Sequence, residues 1–218
     1  MWTVLRELIF PRSCIGCGRG GVLLCKICAA PGGRGSRLRL GRLEVVSCVP
    51  YEGLVRDAIA EFKRGRRAFA EDLAAPAFPL VDAGTTLVPI PTTRARRVER
   101  GFDQTRLLTR ILRRRCGARV EELLVRRPGP AQHGRTREER LAFANRFRVR
   151  RGRNASGENL TLFDDVRTTG ATLVDAARTL EDAGFEVAGA LTIAWTPDPD
   201  APKGAGTAAL QVRALPWR

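Results

Sequence analysis

Apolar positions along the middle of the chain follow two rhythms: short continuous runs, and runs recurring every three or four residues. Leu43-Glu44-Val45-Val46-Ser47-Cys48-Val49 is rich in β-branched residues and predicts a strand. From Leu54 to Phe62 the apolar side chains Leu54, Ala58, Ile59 and Phe62 share one face of a helix. Thr86-Leu87-Val88-Pro89-Ile90-Pro91 predicts a buried strand that ends at prolines. Leu107, Leu108, Ile111 and Leu112 mark a helix over about Gln104 to Arg115, with Gly117 as its stop. Leu160-Thr161-Leu162-Phe163 predicts a further strand. A loop follows it, then a helix from about Ala171 to Ala183 capped by Gly184, then a strand from Val187 to Ala194. Strands alternating with helices predict an α/β fold with a mainly parallel sheet flanked by helices. There are no internal repeats.

The flanks differ in composition. Residues 1–33 hold four of the six cysteines and end in Pro31-Gly32-Gly33, residues 43–195 carry the α/β pattern, and residues 196–218 form a Pro/Gly/Ala-rich tail. Within that tail Ala209 to Leu215 has the pattern of an edge strand. Trp2, Leu5, Leu8 and Ile9 sit at helical spacing before Pro11 and predict a short amphipathic helix. Charges inside that stretch, with no small-residue cleavage site after it, do not suit a signal peptide. No apolar run approaches the ~20 residues that span a bilayer, so a cytoplasmic protein with no membrane partner is expected.

Charge alters this picture. The chain carries a net charge of +15, and 35 of its 38 basic residues are arginines, the exceptions being Lys26, Lys63 and Lys203. Between Gly101 and Arg153 there are 16 arginines against five acids (Asp103, Glu121, Glu122, Glu138, Glu139), a local excess of +11. Such a field attracts a polyphosphate, a nucleic acid or an acidic partner; its plain alternative is a solvated surface. Guanidinium groups match phosphate geometry and stack on bases.

Cys14-x-x-Cys17 and Cys25-x-x-Cys28 are two knuckles of the kind that hold tetrahedral Zn²⁺, with Gly16 and Gly18 suiting the first turn. Two disulfides are the main competing reading and are disfavoured in a reducing compartment, and a redox pair would need only one of the motifs. Four thiolates leave no open position, so a structural zinc ribbon is expected, and a region this small depends on the metal for its stability. Cys48 and Cys116 are expected to be unpaired.

The densest chemistry lies in Asp164-Asp165-Val166-Arg167-Thr168-Thr169-Gly170-Ala171-Thr172. In an open α/β sheet, ligands bind beyond the carboxyl ends of the strands. Asp164 and Asp165 leave the strand there and can accept hydrogen bonds from the two hydroxyls of a ribose. Gly170 lets the backbone approach a phosphate, and the first turn of the helix presents N–H groups and the positive end of its dipole. The hydroxyls of Thr168, Thr169 and Thr172 complete the cage. A plain turn with a threonine cap is the bland alternative. Neither G-x-x-x-x-G-K-[ST] nor a G-x-G-x-x-G after a strand is present.

Phe163-Asp164-Asp165-Val166-Arg167-Thr168-Thr169-Gly170-Ala171-Thr172-Leu173 resembles the signature of type I phosphoribosyltransferases. The wider pattern resembles the competence protein F (ComF) family. It comprises the cysteine pairs, Tyr51-Glu52-Gly53, Phe62-Lys63, Val88-Pro89-Ile90-Pro91, Arg100-Gly101-Phe102-Asp103-Gln104, Gln132, Glu139-Arg140, Asn145 and Phe147, in order up to about Trp195. Two departures stand out: Arg167 where the family usually has an apolar residue, and Asp103 where it usually has Asn. The resemblance implies the type I phosphoribosyltransferase fold and a 5-phosphoribosyl 1-pyrophosphate ligand. Asp164 and Asp165 would take the ribose hydroxyls and residues 166–172 the 5-phosphate. It also implies a pyrophosphate loop from Pro91 to Gly101 with Arg94, Arg96, Arg97 and Arg100, and a flexible closing loop over about Arg126 to Arg140. Mg²⁺ would arrive on substrate oxygens. The closing loop holds the only histidine, His133, which is read as a solvated side chain. The resemblance further implies a role in natural transformation, with single-stranded DNA and a competence helicase as partners. Two functions follow: a phosphoribosyltransferase of unknown acceptor, or a non-catalytic DNA-handling protein that keeps the sugar-phosphate pocket.

Overall fold

The computed structural model of the chain describes residues 12–29, 35–127, 146–152, 159–197 and Leu215. The expected opening helix, the closing loop beyond Arg127 with Gln132, His133 and Glu139-Arg140, and the tail before Leu215 lie outside the described residues.

In chain order the elements are α1 (Lys26–Ala29), the hairpin β1 (Ser36–Leu40) and β2 (Leu43–Pro50), and α2 (Gly53–Lys63). Then come α3 (Ala70–Ala74), flanked by 3₁₀ turns at Arg67–Phe69 and Ala75–Leu80, β3 (Thr86–Pro89), α4 (Arg94–Arg100) and α5 (Gln104–Cys116). β4 (Arg119–Val120), β5 (Leu124–Arg126), β6 (Phe147–Val149), β7 (Leu160–Arg167), α6 (Ala171–Glu181) and β8 (Val187–Trp195) complete the chain. Six strands form one sheet in the order β1-β2-β8-β7-β3-β4, parallel throughout except for the β1–β2 hairpin at one edge. β5 and β6 pair as a separate antiparallel ribbon.

Side chains alternate across the strands, and this builds two cores. Leu87, Phe163 and Leu191 face Phe62 of α2, Leu73 of α3, and Leu108 and Leu112 of α5. Val88, Leu162 and Ala190 face Leu173, Ala176 and Leu180 of α6, together with Leu124 and Phe147 of the ribbon. Each large apolar side chain so buried contributes about 1.5–3 kcal/mol relative to exposure. The predicted α/β architecture is therefore present, with helices on both faces.

The cysteine region docks onto the first core. Leu24 and Ala29 pack among its members. Asp72 of α3, only 9% exposed, accepts hydrogen bonds from the Leu23 N–H at 2.7 Å, the Leu24 N–H at 3.3 Å and the Arg12 guanidinium at 3.2 Å.

Several elements depart from expectation for identifiable reasons. β1 reads Ser-Arg-Leu-Arg-Leu, and as the edge strand it alternates charged and apolar residues, which a search for apolar runs passes over. β7 continues through the two acids to Arg167 because β8 keeps pairing with it as far as Arg167↔Trp195. The stretch expected as a pyrophosphate loop is instead largely helix α4, opened by Thr93, whose hydroxyl accepts from the Arg96 N–H at 3.2 Å.

Candidate functional site

From β3 the chain crosses through α5 to β4 on one side of the sheet. From β7 it crosses through α6 to β8 on the other side. Strand order thus reverses between β3 and β7, which makes their carboxyl ends the topological switch point, the usual ligand crevice of an open sheet. β3 ends there in Pro89 and runs into Ile90-Pro91-Thr92-Thr93, and β7 brings Asp164 and Asp165 to the same end. The Ile90 N–H donates to Phe163 O at 2.9 Å and fixes the two ends side by side.

The two acids have different partners. Asp165 forms an ion pair with Lys63 of α2, Nζ to Oδ2 2.9 Å, and its other oxygen accepts from the Val166 N–H at 2.8 Å. Asp164 accepts from the Asp165 N–H at 2.8 Å. Its carboxyl is held well above the usual range, first by burial and then by the neighbouring Asp165 charge, with Lys63 opposing.

The loop after β7 is built around Gly170. Its backbone is left-handed, φ 80° and ψ −1°, and it stands directly before α6. A Cβ there would also overlap the Leu40 Cδ1 methyl. Thr168 and Thr169 are exposed at the loop tip, and Thr169 Oγ1 accepts from the Ala171 N–H at 3.4 Å. The Thr172 hydroxyl accepts from the Arg146 guanidinium at 3.0 Å.

Arg167 needs correction as a phosphate ligand. Its side chain is 7% exposed and lies beneath the loop, where it also donates to Thr168 O at 3.4 Å. It donates to Ser47 Oγ at 3.3 Å and Ser36 Oγ at 3.2 Å, and lies over the Trp195 ring at 5.8 Å. Burial lowers its affinity for the proton. The residue thus fills inward-facing space beside β1, β2 and β8.

Arg94, Arg96 and Arg97 lie exposed on α4. Arg100 is partly buried and donates to Gln104 Oε1 at 3.0 Å. Gln104 is 2% exposed, and its Nε2 has no hydrogen-bond partner. Asp103 caps α5 through the Arg106 N–H at 3.3 Å and accepts from the Thr92 N–H at 3.3 Å. It thereby ties the α4–α5 turn to the end of β3. Two residues not picked out as ligands join this end. Arg146 reaches α6 from the ribbon, its N–H donating to Asp175 Oδ2 at 2.9 Å. Arg126 is pushed down from the usual guanidinium range, first by burial and then by Arg146 and Arg96, with Asp164 and Asp175 opposing. In the sequence Arg126 falls at the first residue of the stretch expected to close over the ligand, and Arg146 lies beyond its expected end. Elsewhere the arginine field is partly neutralised: Arg114 and Arg115 pair with Glu71, and Arg106 and Arg150 with Glu122.

The sulfurs of Cys14, Cys17, Cys25 and Cys28 all lie within 4.8 Å of one another and could hold a metal ion. Cys17 Sγ and Cys25 Sγ are 3.7 Å apart, which matches the ~3.8 Å edge of a tetrahedron with Zn–S bonds of about 2.3 Å. The Cys25 N–H donates to Cys14 Sγ at 3.3 Å. That bond leads the causes that lower the Cys14 thiol to about 6, while Cys25 and burial raise Cys28 to about 12. Thiols this crowded cannot all ionise alone, and a bound cation relieves the conflict. All six cysteines are free thiols.

Fold and site together define a class: an α/β protein with a topological switch point between β3 and β7, an acid pair on the central strand, and an appended cluster of four cysteines. A curated relative, "Competence protein ComFC" of Bacillus subtilis (strain 168), is 34% identical over 146 residues, covering 63% of this chain and 58% of the relative. The matched region spans less than two thirds of that relative's length. No family model matches the chain. Among the described residues no helix is long and apolar enough to cross a membrane.

Proposed function

We propose that the crevice binds the ribose 5-phosphate part of 5-phosphoribosyl 1-pyrophosphate, in a protein serving DNA uptake during natural transformation. One observation carries the reading. At the switch point an acid pair is followed, after four residues, by a left-handed glycine and the N-terminus of α6. Asp165 and Asp164 take the ribose hydroxyls, and the loop from Val166 to Thr172 takes the 5-phosphate through backbone N–H groups and the hydroxyls of Thr168, Thr169 and Thr172. Arg94, Arg96, Arg97 and Arg100 stand on the β3 side, suited to pyrophosphate carried with Mg²⁺. The arrangement favours positioning and charge stabilisation, the means by which a pentosyl transfer is accelerated.

The test is a melting scan with phosphoribosyl pyrophosphate and Mg²⁺. A ligand at one hundred times its Kd stabilises by about 2.7 kcal/mol, roughly 5–10 °C for a domain of this size. The shift should vanish in the Asp164→Asn, Asp165→Asn double variant, and an undiminished shift would refute the reading.

The exposed arginines of α4 favour a second reading, contact with single-stranded DNA and a helicase partner without catalysis. Affinity for an oligonucleotide should then fall steeply with salt, and a flat response rejects that contact.

A further inference from the structure

Lys63 is the last residue of α2, and that end of the helix is clamped. The Phe62 ring, fully buried, meets the Phe102 ring at 5.1 Å between centroids. The Arg67 guanidinium lies over the opposite partner of that pair, Phe102, and donates to Gly101 O at 2.6 Å. Two segments far apart in sequence, Phe62-Lys63 and Arg100–Gln104, are thus joined beside the crevice. The Lys63 side chain is 28% exposed and its ammonium sits 2.9 Å from Asp165 Oδ2. Asp165 then has one donor on each oxygen, Lys63 on Oδ2 and the Val166 N–H on Oδ1. Each oxygen retains a second lone pair for a ligand hydroxyl.

We propose that Lys63 is a positioning residue of the sugar-phosphate site, whose ammonium orients Asp165 as the carboxylate that accepts from the ribose hydroxyls and gives the two adjacent acids unequal roles. The proposal rests on the ribose 5-phosphate reading of the loop. Two neighbouring carboxylates repel one another, and one cation bonded to only one of them breaks the symmetry. The raised carboxyl of Asp164 beside it agrees with that division. Without Lys63, Asp165 loses the bond that fixes its Oδ2.

The experiment is calorimetric titration of the full chain with ribose 5-phosphate in the wild type, Lys63→Met, Lys63→Arg, Asp165→Asn and the Lys63→Met, Asp165→Asn double variant. Thermal melts verify that each variant folds. Lys63→Met should weaken binding about tenfold to hundredfold, the range for losing a charged hydrogen bond. Lys63→Arg should recover most of that loss. In the Asp165→Asn background, Lys63→Met should change affinity less than about threefold, because its effect passes through Asp165. Wild-type affinity in Lys63→Met overturns the proposal and leaves the ribose reading standing. Losses that multiply in the double variant also overturn it, since Lys63 would then touch the ligand by itself. A wild type that fails to bind ribose 5-phosphate removes the ribose reading and this proposal with it.

Discussion

Gly170→Ala tests the central loop most directly. At φ 80° an alanine occupies the left-handed region, which costs about 1–2 kcal/mol for an L-residue. Its Cβ would also overlap Leu40 Cδ1, the end of a half-buried side chain on β1. Moving Leu40 off its rotamer adds about 0.5–1.5 kcal/mol. The total is roughly 1.5–3.5 kcal/mol, a fall of about 3–14 °C in Tm for a chain of this length. Urea and thermal melts of Gly170→Ala, Leu40→Ala and the double variant separate the two contributions. The double variant should cost less than the sum of the singles by the clash share, while the backbone share persists. Ribose 5-phosphate affinity should fall in Gly170→Ala and stay low in the double variant, because the backbone that meets the phosphate has moved. A cost below about 0.5 kcal/mol with unchanged affinity would show that this glycine is neither strained nor near the ligand.

Arg167→Met should cost about 1–3 kcal/mol of stability, because the buried Ser36 hydroxyl loses the guanidinium donor, and leave ribose 5-phosphate binding unaltered. A large loss of affinity would return Arg167 to the phosphate site. Elemental analysis should give about one zinc per chain, and its removal by a chelator should lower Tm, whereas a metal-free chain with an unchanged melt contradicts the four-thiolate centre. Burial raises the Cys48 thiol from 9.0 to about 12, so it is the protonated form that the fold favours. The unfolded chain releases that proton first, so stability should fall as pH rises from about 9 towards 12. Cys48→Ala should flatten that slope when both proteins are melted across the range; equal slopes refute it.

Elements with a strong apolar period were legible from sequence. α5 begins and ends where Leu108, Ile111, Leu112 and the Gly117 stop place it, and Gly117 is left-handed with its N–H on Arg113 O at 3.0 Å. α4 was not legible, because its surface carries no apolar stripe: the one apolar side chain beyond Ala95 is Val98, which is 74% exposed. The strand-to-helix junction from Asp164 to Thr172 was readable because its residues are contiguous in the chain. The Lys63–Asp165 pair was not, since only the sheet and α2 bring those positions together. Arg167 misled for a related reason. Its charge suggested an outward phosphate ligand, whereas strand pairing with Trp195 and the hydroxyls of Ser36 and Ser47 turn it inward.

The docking of the cysteine region through Asp72 bears on how this protein can be dissected. Expressing the α/β portion alone, from about Gly35 onward, removes Leu24 and Ala29 from the first core. It also leaves the Asp72 carboxylate without the Arg12, Leu23 and Leu24 donors that now surround it. Such a fragment presents a raw apolar patch beside an uncompensated acid, the surface that drives aggregation. The knuckle is thus a lid on the core and not a detachable tag, so ligand studies on a trimmed fragment would report on a wounded fold.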